Sequence, residues 1–201
     1  DENHCIDLSD VVYSEYAGLV ASSSPQANKD VMRIASRVEL PLFIEKPIIP
    51  DQESIDLLDE LGAKGVPVLF GYQDLFDLTF IKAVTDIVES QEGSGTFHIS
   101  LGHDIRQWRD LTRGSYSFDS DQGGALKDLS HAYFFAERVF GTFDSVETVS
   151  LKSRLGNFSD VEMASDSIVK NSTNWVGVIS QEYFSPRREF SLVVKKLGWR
   201  L

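Results

Sequence analysis

Several features that define large classes of protein are scarce or absent in this sequence of 201 residues. It has a single cysteine, Cys5, which excludes an internal disulfide and with it a disulfide-stapled secreted scaffold. No apolar run reaches the ~18 residues that a membrane span requires. The chain opens on Asp1, Glu2 and Asn3, without the basic segment of a signal peptide. We therefore expect a cytoplasmic protein with no membrane partner.

Basic residues are also few compared with acidic ones. The chain has 19 lysines and arginines against 31 acidic residues, a net charge of −12. Nucleic-acid binding requires basic patches, so we expect no nucleic-acid partner. A local basic pocket for a small anionic ligand stays compatible with this balance. Hydrophobic residues make up 42% and charged residues 25%, and these ordinary proportions predict a packed globular core.

The first seventy residues alternate between strand and helix patterns. Short apolar runs over 17–22, Leu42–Ile44 and 66–70 predict strands, and helical spacing occupies residues 28–38. Asp51 is a good N-cap for a second helix, which Gly62 or Gly65 would close. Two strand–helix–strand units in succession predict a parallel sheet, whose functional residues lie at the carboxyl ends of its strands.

The pattern changes near Asp74, where we predict a domain boundary. One helix is predicted over 75–88 and another over about 125–140. Strand composition marks residues 96–101, 146–151, 167–170, 176–183 and 190–195. The predicted fold class is thus α/β plus α+β: a partial Rossmann-like parallel sheet, then an α+β domain with a mostly antiparallel open sheet.

Four short motifs follow one another in a fixed order. They are Val20 to Pro25 (VASSSP), Glu45-Lys46-Pro47, Gly71-Tyr72-Gln73, and Gly123 to His131 (GGALKDLSH) with Val139-Phe-Gly141 beyond it. Together they resemble the C-terminal part of the Gfo/Idh/MocA family of NAD(P)-dependent sugar oxidoreductases. Residues 108–117 resemble the subgroup linked to nonulosonic acid and surface-polysaccharide biosynthesis. The resemblance implies an incomplete nucleotide-binding domain over 1–73 and a substrate-binding and oligomerisation domain over 74–201.

The resemblance also implies a cofactor, NAD or NADP, and a substrate that is a sugar, a sugar nucleotide or a related polyol. A homo-oligomer would form through the C-terminal sheet. The residues expected to contact the cofactor are Ser23, Ser24, Pro25, Asn28, Glu45, Lys46, Pro47 and Gln73. The resemblance makes the peptide bond between Lys46 and Pro47 a candidate for the cis form, which only ~5% of X–Pro bonds adopt.

Three residues are expected to be catalytic by resemblance. Lys46 would orient the reacting hydroxyl and stabilise the developing alkoxide, and His131 would transfer the proton. Asp128 would bind the substrate or orient the imidazole. Because Asp128 and His131 are three residues apart on a predicted helix, we expect them to share a face and to line one cleft with Lys46.

The loop between the strand at 96–101 and the next helix carries the substrate candidates Trp108, Arg109, Arg113 and Tyr116. Arginine forks there suit a carboxylated or phosphorylated sugar. Solvated surface arginines are the alternative reading of the same pattern. No histidine pair has a strong metal-ligand spacing, so no metal site is predicted.

Departures from the family pattern favour other functions. The chain contains no Gly-x-Gly-x-x-Gly phosphate loop, and Asn28 or Lys29 stands where the family has a histidine. The spacing from Asp128 to His131 is one residue shorter than in many members, and Ala132 replaces the acid that commonly follows. The alternatives are a non-catalytic remnant of the enzyme and an assembly or ligand-binding module of the same fold.

Overall fold

A computed structural model describes residues 8, 11–73, 77–89, 94–109, 114–154 and 160–196. The chain divides into two compact units, Asp1–Gly71 and Tyr72–Leu201. Within these described ranges, no helix has the length and apolar character that a membrane span requires.

The first unit is a three-stranded parallel sheet with two helices. Strands β1 (Leu19–Ala21), β2 (Leu42–Ile44) and β3 (Val68–Phe70) pair in the order β1-β2-β3, all parallel. Helices α1 (Pro25–Val38) and α2 (Gln52–Ala63) connect them. This unit confirms the predicted parallel strand–helix pattern. Its core is small and apolar, formed by Ala21, Met32, Ala35, Leu42, Ile44, Leu61 and Val66.

Local chemistry accounts for where the two helices begin. Ser24 is the N-cap of α1, its Oγ accepts a bond from the Ala27 N–H, and Pro25 occupies the first turn. Asp51 is the N-cap of α2, as predicted, and accepts from the Ser54 N–H at 3.0 Å. The turn at the end of β1 is therefore also the start of a helix.

The second unit has a mixed five-stranded sheet. Its elements are α3 (Leu78–Glu89), β4 (Gly95–Asp104), α4 (Ala125–Asp128), α5 (His131–Phe140), β5 (Ser145–Lys152), β6 (Glu162–Lys170), β7 (Trp175–Glu182) and β8 (Phe184–Lys196). The strand order is β5-β6-β7-β4-β8. Among the strand pairs that the structure describes in this sheet, β4 with β7 is parallel and the others are antiparallel, so the expected mostly antiparallel α+β sheet is confirmed.

The core of the second unit lies between the helices and one face of this sheet. Phe135 and Phe140 of α5 are buried against Phe97 and Ile99 of β4. Gly177 makes room for this packing, since a Cβ there would lie 2.1 Å from the Phe97 ring. Side chains on the opposite face are exposed, including Val149, Ile168 and Val193. The sheet is thus open on one side, as predicted.

The single helix predicted over 125–140 is wrong. Ser130 N–H bonds to the Lys127 carbonyl rather than continuing the ladder, and the helix breaks between α4 and α5. The Leu126 carbonyl freed by this break accepts from Nε2 of Gln181 at 3.2 Å, and the Leu129 carbonyl does so at 2.7 Å. Asp128 therefore ends one helix and His131 begins the next, so they do not share a face of a continuous helix.

Candidate functional site

The carboxyl ends of β1 and β2 are joined by one side chain, Asn28. Its Oδ1 accepts a bond from the Ser23 N–H at 3.0 Å, and its Nδ2 donates to the Glu45 carbonyl at 3.1 Å. Asn28 is buried and has both ends of its amide bonded. It therefore fixes the distance between the Ser23–Pro25 turn and the segment that carries Lys46.

The Glu45-Lys46-Pro47 segment leaves β2 through a cis peptide bond between Lys46 and Pro47. Glu45 N–H is held by the Ala21 carbonyl at 2.8 Å. The Glu45 carboxylate lies against Gly71, where a Cβ would come within 2.7 Å of it. This close approach explains a glycine after β3. Pro47 is buried and Lys46 is half-buried.

Lys29 has a role that sequence reasoning missed. Its side chain is only 5% exposed, and its ammonium forms ion pairs with Asp51 and, at 3.2 Å, with Glu53. The bond from Lys29 and the Ser54 N–H lower the pKa of Asp51 to about 2. The bond to Asp51 raises the pKa of Lys29, against the effect of burial. Lys29 thus ties α1 to the start of α2, a stabilising contact between two helices.

In the second unit, Asp128 lies at the centre of a buried hydrogen-bond cluster. It is 3% exposed and accepts at Oδ2 from Tyr183 at 2.9 Å and from Ser117 at 3.1 Å. Its Oδ1 accepts from the Tyr116 hydroxyl at 3.3 Å. Burial raises the pKa of Tyr183, and the negative charge of Asp128 raises it further. These phenols stay protonated at neutral pH and can act as donors to the carboxylate.

The two glycines before α4 allow this cluster to form. A Cβ at Gly123 would lie 2.2 Å from the Tyr116 carbonyl oxygen, and Gly124 has a φ of 90°, in the region that favours glycine. Gly124 N–H also bonds to the Ser117 carbonyl at 3.1 Å. The close backbone approach that the glycine pair permits brings Tyr116 and Ser117 to Asp128.

The substrate candidates Arg109 and Tyr116 lie together. Arg109 donates a bond of 3.1 Å to the Tyr116 hydroxyl, and its guanidinium lies 5.2 Å from the centre of the Tyr116 ring. Burial is the main reason that the pKa of Tyr116 rises to about 12. Trp108 is 58% exposed. Arg113 lies outside the described residues.

His131 begins α5 and is half-buried beside Tyr72. The two rings meet edge to face, with 5.8 Å between their centres. Tyr72 also stacks on Phe134, and its hydroxyl lies 3.3 Å from the Ser130 Oγ. The imidazole is thus placed by aromatic packing. Gln73, next to Tyr72, is exposed.

The predicted site residues therefore form two groups, one in each unit. The first unit brings Ser23, Asn28 and Glu45 together. The second brings Arg109, Tyr116 and Asp128 together and adds Ser117 and Tyr183, neither of which was predicted to be a site residue. Ser117 and Tyr183 could not be found from the pattern because their partner, Asp128, is 11 residues away from one and 55 from the other.

Comparison with known proteins supports the fold. No protein-family model and no curated protein matches the sequence. Among solved structures, the WlbA dehydrogenase from Bordetella pertussis, in complex with NADH and UDP-GlcNAcA, matches with a TM-score of 0.79 at 15% identity, over 94% of this chain and 56% of that one. Levoglucosan dehydrogenase, in complex with NADH and levoglucosan, matches with a TM-score of 0.78 at 16% identity, over 90% and 52%.

An oxidoreductase from Agrobacterium radiobacter, in complex with NAD+, L-tartaric acid and magnesium, matches with a TM-score of 0.72 at 14% identity, covering 94% of this chain and 56% of that chain. The chain thus spans about half the length of the solved structures that it matches. At these identities the likeness establishes the fold, which the chain shares with NAD-binding oxidoreductases.

Proposed function

We propose that the chain belongs to an NAD(P)-dependent oxidoreductase of the Gfo/Idh/MocA type, which moves a hydride between the cofactor and a sugar, a sugar nucleotide or a related polyol. One observation carries the proposal. Asn28 bonds to both Ser23 and Glu45 and so fixes the carboxyl ends of two parallel strands side by side. Cofactors bind at this edge of a parallel sheet.

The residues at this edge suit the nicotinamide end of the cofactor. The short turn at Ser23, Ser24 and Pro25 offers backbone groups at the start of α1, and Lys46 and Pro47 follow the end of β2. When bound, the nicotinamide supplies the acceptor or donor of the hydride. No residues of this sequence are proposed to bind the pyrophosphate, because the sequence has no Gly-x-Gly-x-x-Gly loop.

Lys46 and His131 are proposed to act on the substrate hydroxyl. The Lys46 ammonium would stabilise the oxygen as it loses its proton, and the imidazole of His131 would accept that proton. Asp128 would act by keeping Tyr116 and Tyr183 in place, because both of its carboxylate oxygens already accept bonds. Homo-oligomerisation through the open sheet, where Val149, Ile168 and Val193 are exposed, forms part of the same proposal.

The occupied carboxylate of Asp128 also favours a second candidate function. A module that binds a ligand but catalyses no reaction does not need an accessible base. An Asp128 whose carboxylate only holds Tyr116 and Tyr183 in place is consistent with such a module. The two candidates differ in whether substrate and cofactor react.

The test is an assay of the full product of the reading frame that contains this chain, with NAD or NADP and a panel of sugars, sugar nucleotides and polyols. Lys46→Ala should lower kcat by ~10²–10³-fold with little change in the dissociation constant for NADH. Lys46→Arg should keep more activity, since the charge remains, and Arg37→Ala, an exposed position on α1, should match the wild type. Turnover by Lys46→Ala at the wild-type rate would refute the catalytic assignment. No turnover with any substrate would favour the binding module.

A further inference from the structure

Two arginines of the second unit lie over aromatic rings without an acidic partner in the described part of the chain. Arg109 lies over Tyr116, and the Arg188 guanidinium lies 6.0 Å from the centre of the Trp108 ring. Arg106, by contrast, is neutralised by both carboxylate oxygens of Asp104, each at 2.8 Å. A chain with 31 acidic and 19 basic residues has acids available for its arginines. The guanidiniums of Arg109 and Arg188, each held over an aromatic ring, therefore offer positive charge to a ligand.

A bulge in β8 places Arg188 at this position. Gly102 pairs with Glu189 but Asp104 pairs with Phe184, so residues 185–188 have no partner in β4. The side-chain amide of Gln107 donates to the Pro186 carbonyl at 3.3 Å and fixes the bulge to the turn that carries Trp108. Bulges of this kind redirect side chains next to binding sites.

The two arginines belong to one cluster. His103 lies 6.1 Å from the Trp108 ring on one side and 5.7 Å from the Tyr183 ring on the other. Tyr183 bonds to Asp128, and so does Tyr116, which carries the other arginine. A series of neighbouring side chains thus runs from Arg188 on Trp108, through the buried carboxylate of Asp128, to Arg109 on Tyr116.

We propose that Trp108, Arg109 and Arg188 bind an anionic sugar, with the guanidiniums on its carboxylate or phosphate and the exposed indole against the sugar ring. The proposal rests on the proposed function, to which it gives a substrate class. Guanidinium forks bind both kinds of anion through two parallel bonds. An exposed aromatic ring supplies flat apolar contact to the less polar face of a sugar.

The experiment measures binding to the chain by calorimetry and ligand-observed NMR, without cofactor. Three probes are compared: D-glucuronate, D-glucose 6-phosphate and uncharged D-glucose. At least one of the two anions should bind at least ~10-fold more tightly than glucose. The anion that binds more tightly shows whether the site prefers a carboxylate or a phosphate. Arg188→Gln and Arg109→Gln should each remove ~10-fold of that preference, as expected for a charged bond. Arg187→Gln, the neighbouring arginine in the bulge, is the matched control and should remove little.

Equal affinity for glucose and the two anions would overturn the proposal, and so would equal losses in Arg187→Gln and Arg188→Gln. Circular dichroism and the unfolding midpoint establish that each variant is folded. Because no hydride transfer is involved, failure here leaves the oxidoreductase proposal standing. A preference for anions without turnover in the enzyme assay would instead refute the oxidoreductase while leaving this binding site in place.

Discussion

The phenolic hydroxyl of Tyr183 donates a hydrogen bond of 2.9 Å to Oδ2 of Asp128, across 55 residues of sequence. Both side chains are buried, so water does not readily replace the bond when it is lost. The contact joins the residue between β7 and β8 to the last residue of α4. It fixes the position of the Asp128 carboxylate.

Replacement of Tyr183 by phenylalanine should lower the free energy of unfolding by about 1.5–3 kcal/mol, the usual range for a bond to a charged group. Burial and the charge of Asp128 raise the pKa of Tyr183, so the hydroxyl stays protonated and the loss should be the same at pH 6 and pH 9. Denaturant unfolding measures it. Tyr116→Phe, which removes the longer bond of 3.3 Å, is the comparison and should cost less than half as much. Equal losses of unfolding free energy in the two variants would show that the shorter bond does not stabilise the fold more than the longer one.

The ion pair between Lys29 and Asp51 should make stability depend on acid pH. An aspartate in an unfolded chain titrates near pH 3.9, whereas the pKa of the folded Asp51 is about 2. Its contribution is therefore complete above about pH 4 and is lost as the pH falls toward 2. Lys29→Met should lower the unfolding midpoint at neutral pH, and the difference from the wild type should shrink toward pH 2.

Arg37→Met is the matched control for that measurement, because Arg37 lies exposed on the same helix and makes no ion pair among the described residues. Its difference from the wild type should stay small at every pH. A Lys29→Met difference that is independent of pH would mean that packing of the lysine stem, rather than its charge, accounts for the loss.

Gln181 should govern the break between α4 and α5. Its buried amide donates to the Leu126 and Leu129 carbonyls and accepts from the Ser165 hydroxyl at 3.1 Å. Gln181→Leu leaves these three groups without that partner and should cost at least about 3 kcal/mol, since each unsatisfied buried group costs about 1–3 kcal/mol. Hydrogen exchange of the backbone amides at the break should become faster. Ser165→Ala removes a single bond and should cost about 1 kcal/mol; a larger loss than in Gln181→Leu would contradict this account.

The elements that depend on nearby residues could be predicted from the sequence. Strand β2 has the predicted bounds Leu42–Ile44, and the N-cap of α2 is the predicted Asp51. In both cases the deciding features lie within a few positions: an apolar run after a proline, and a carboxylate three residues before the N–H that it caps. The parallel sheet and the open mixed sheet follow from the order of such elements.

Features that depend on distant side chains could not be predicted in this way. Helical spacing continues through Leu129, and only Gln181, 52 residues further on, reveals that the ladder is interrupted there. The placement of Arg188 depends on a shift of register between β4 and β8, which no local pattern records. Lys29 resembles an ordinary surface lysine until α2 brings Asp51 against it.

Strand β4 pairs in parallel with β7 and antiparallel with β8, so Gly95 lies opposite Trp175 on one side and Lys196 on the other. During synthesis, this strand leaves the ribosome roughly 80 residues before either neighbour, several seconds at ordinary elongation rates. Its two hydrogen-bonding edges must wait for those late strands, whereas Phe97 and Ile99 on its apolar face pack against α5, which is synthesised earlier. The last steps of folding in this unit therefore close long loops, and a chain halted before β7 would expose a strand prone to aggregation.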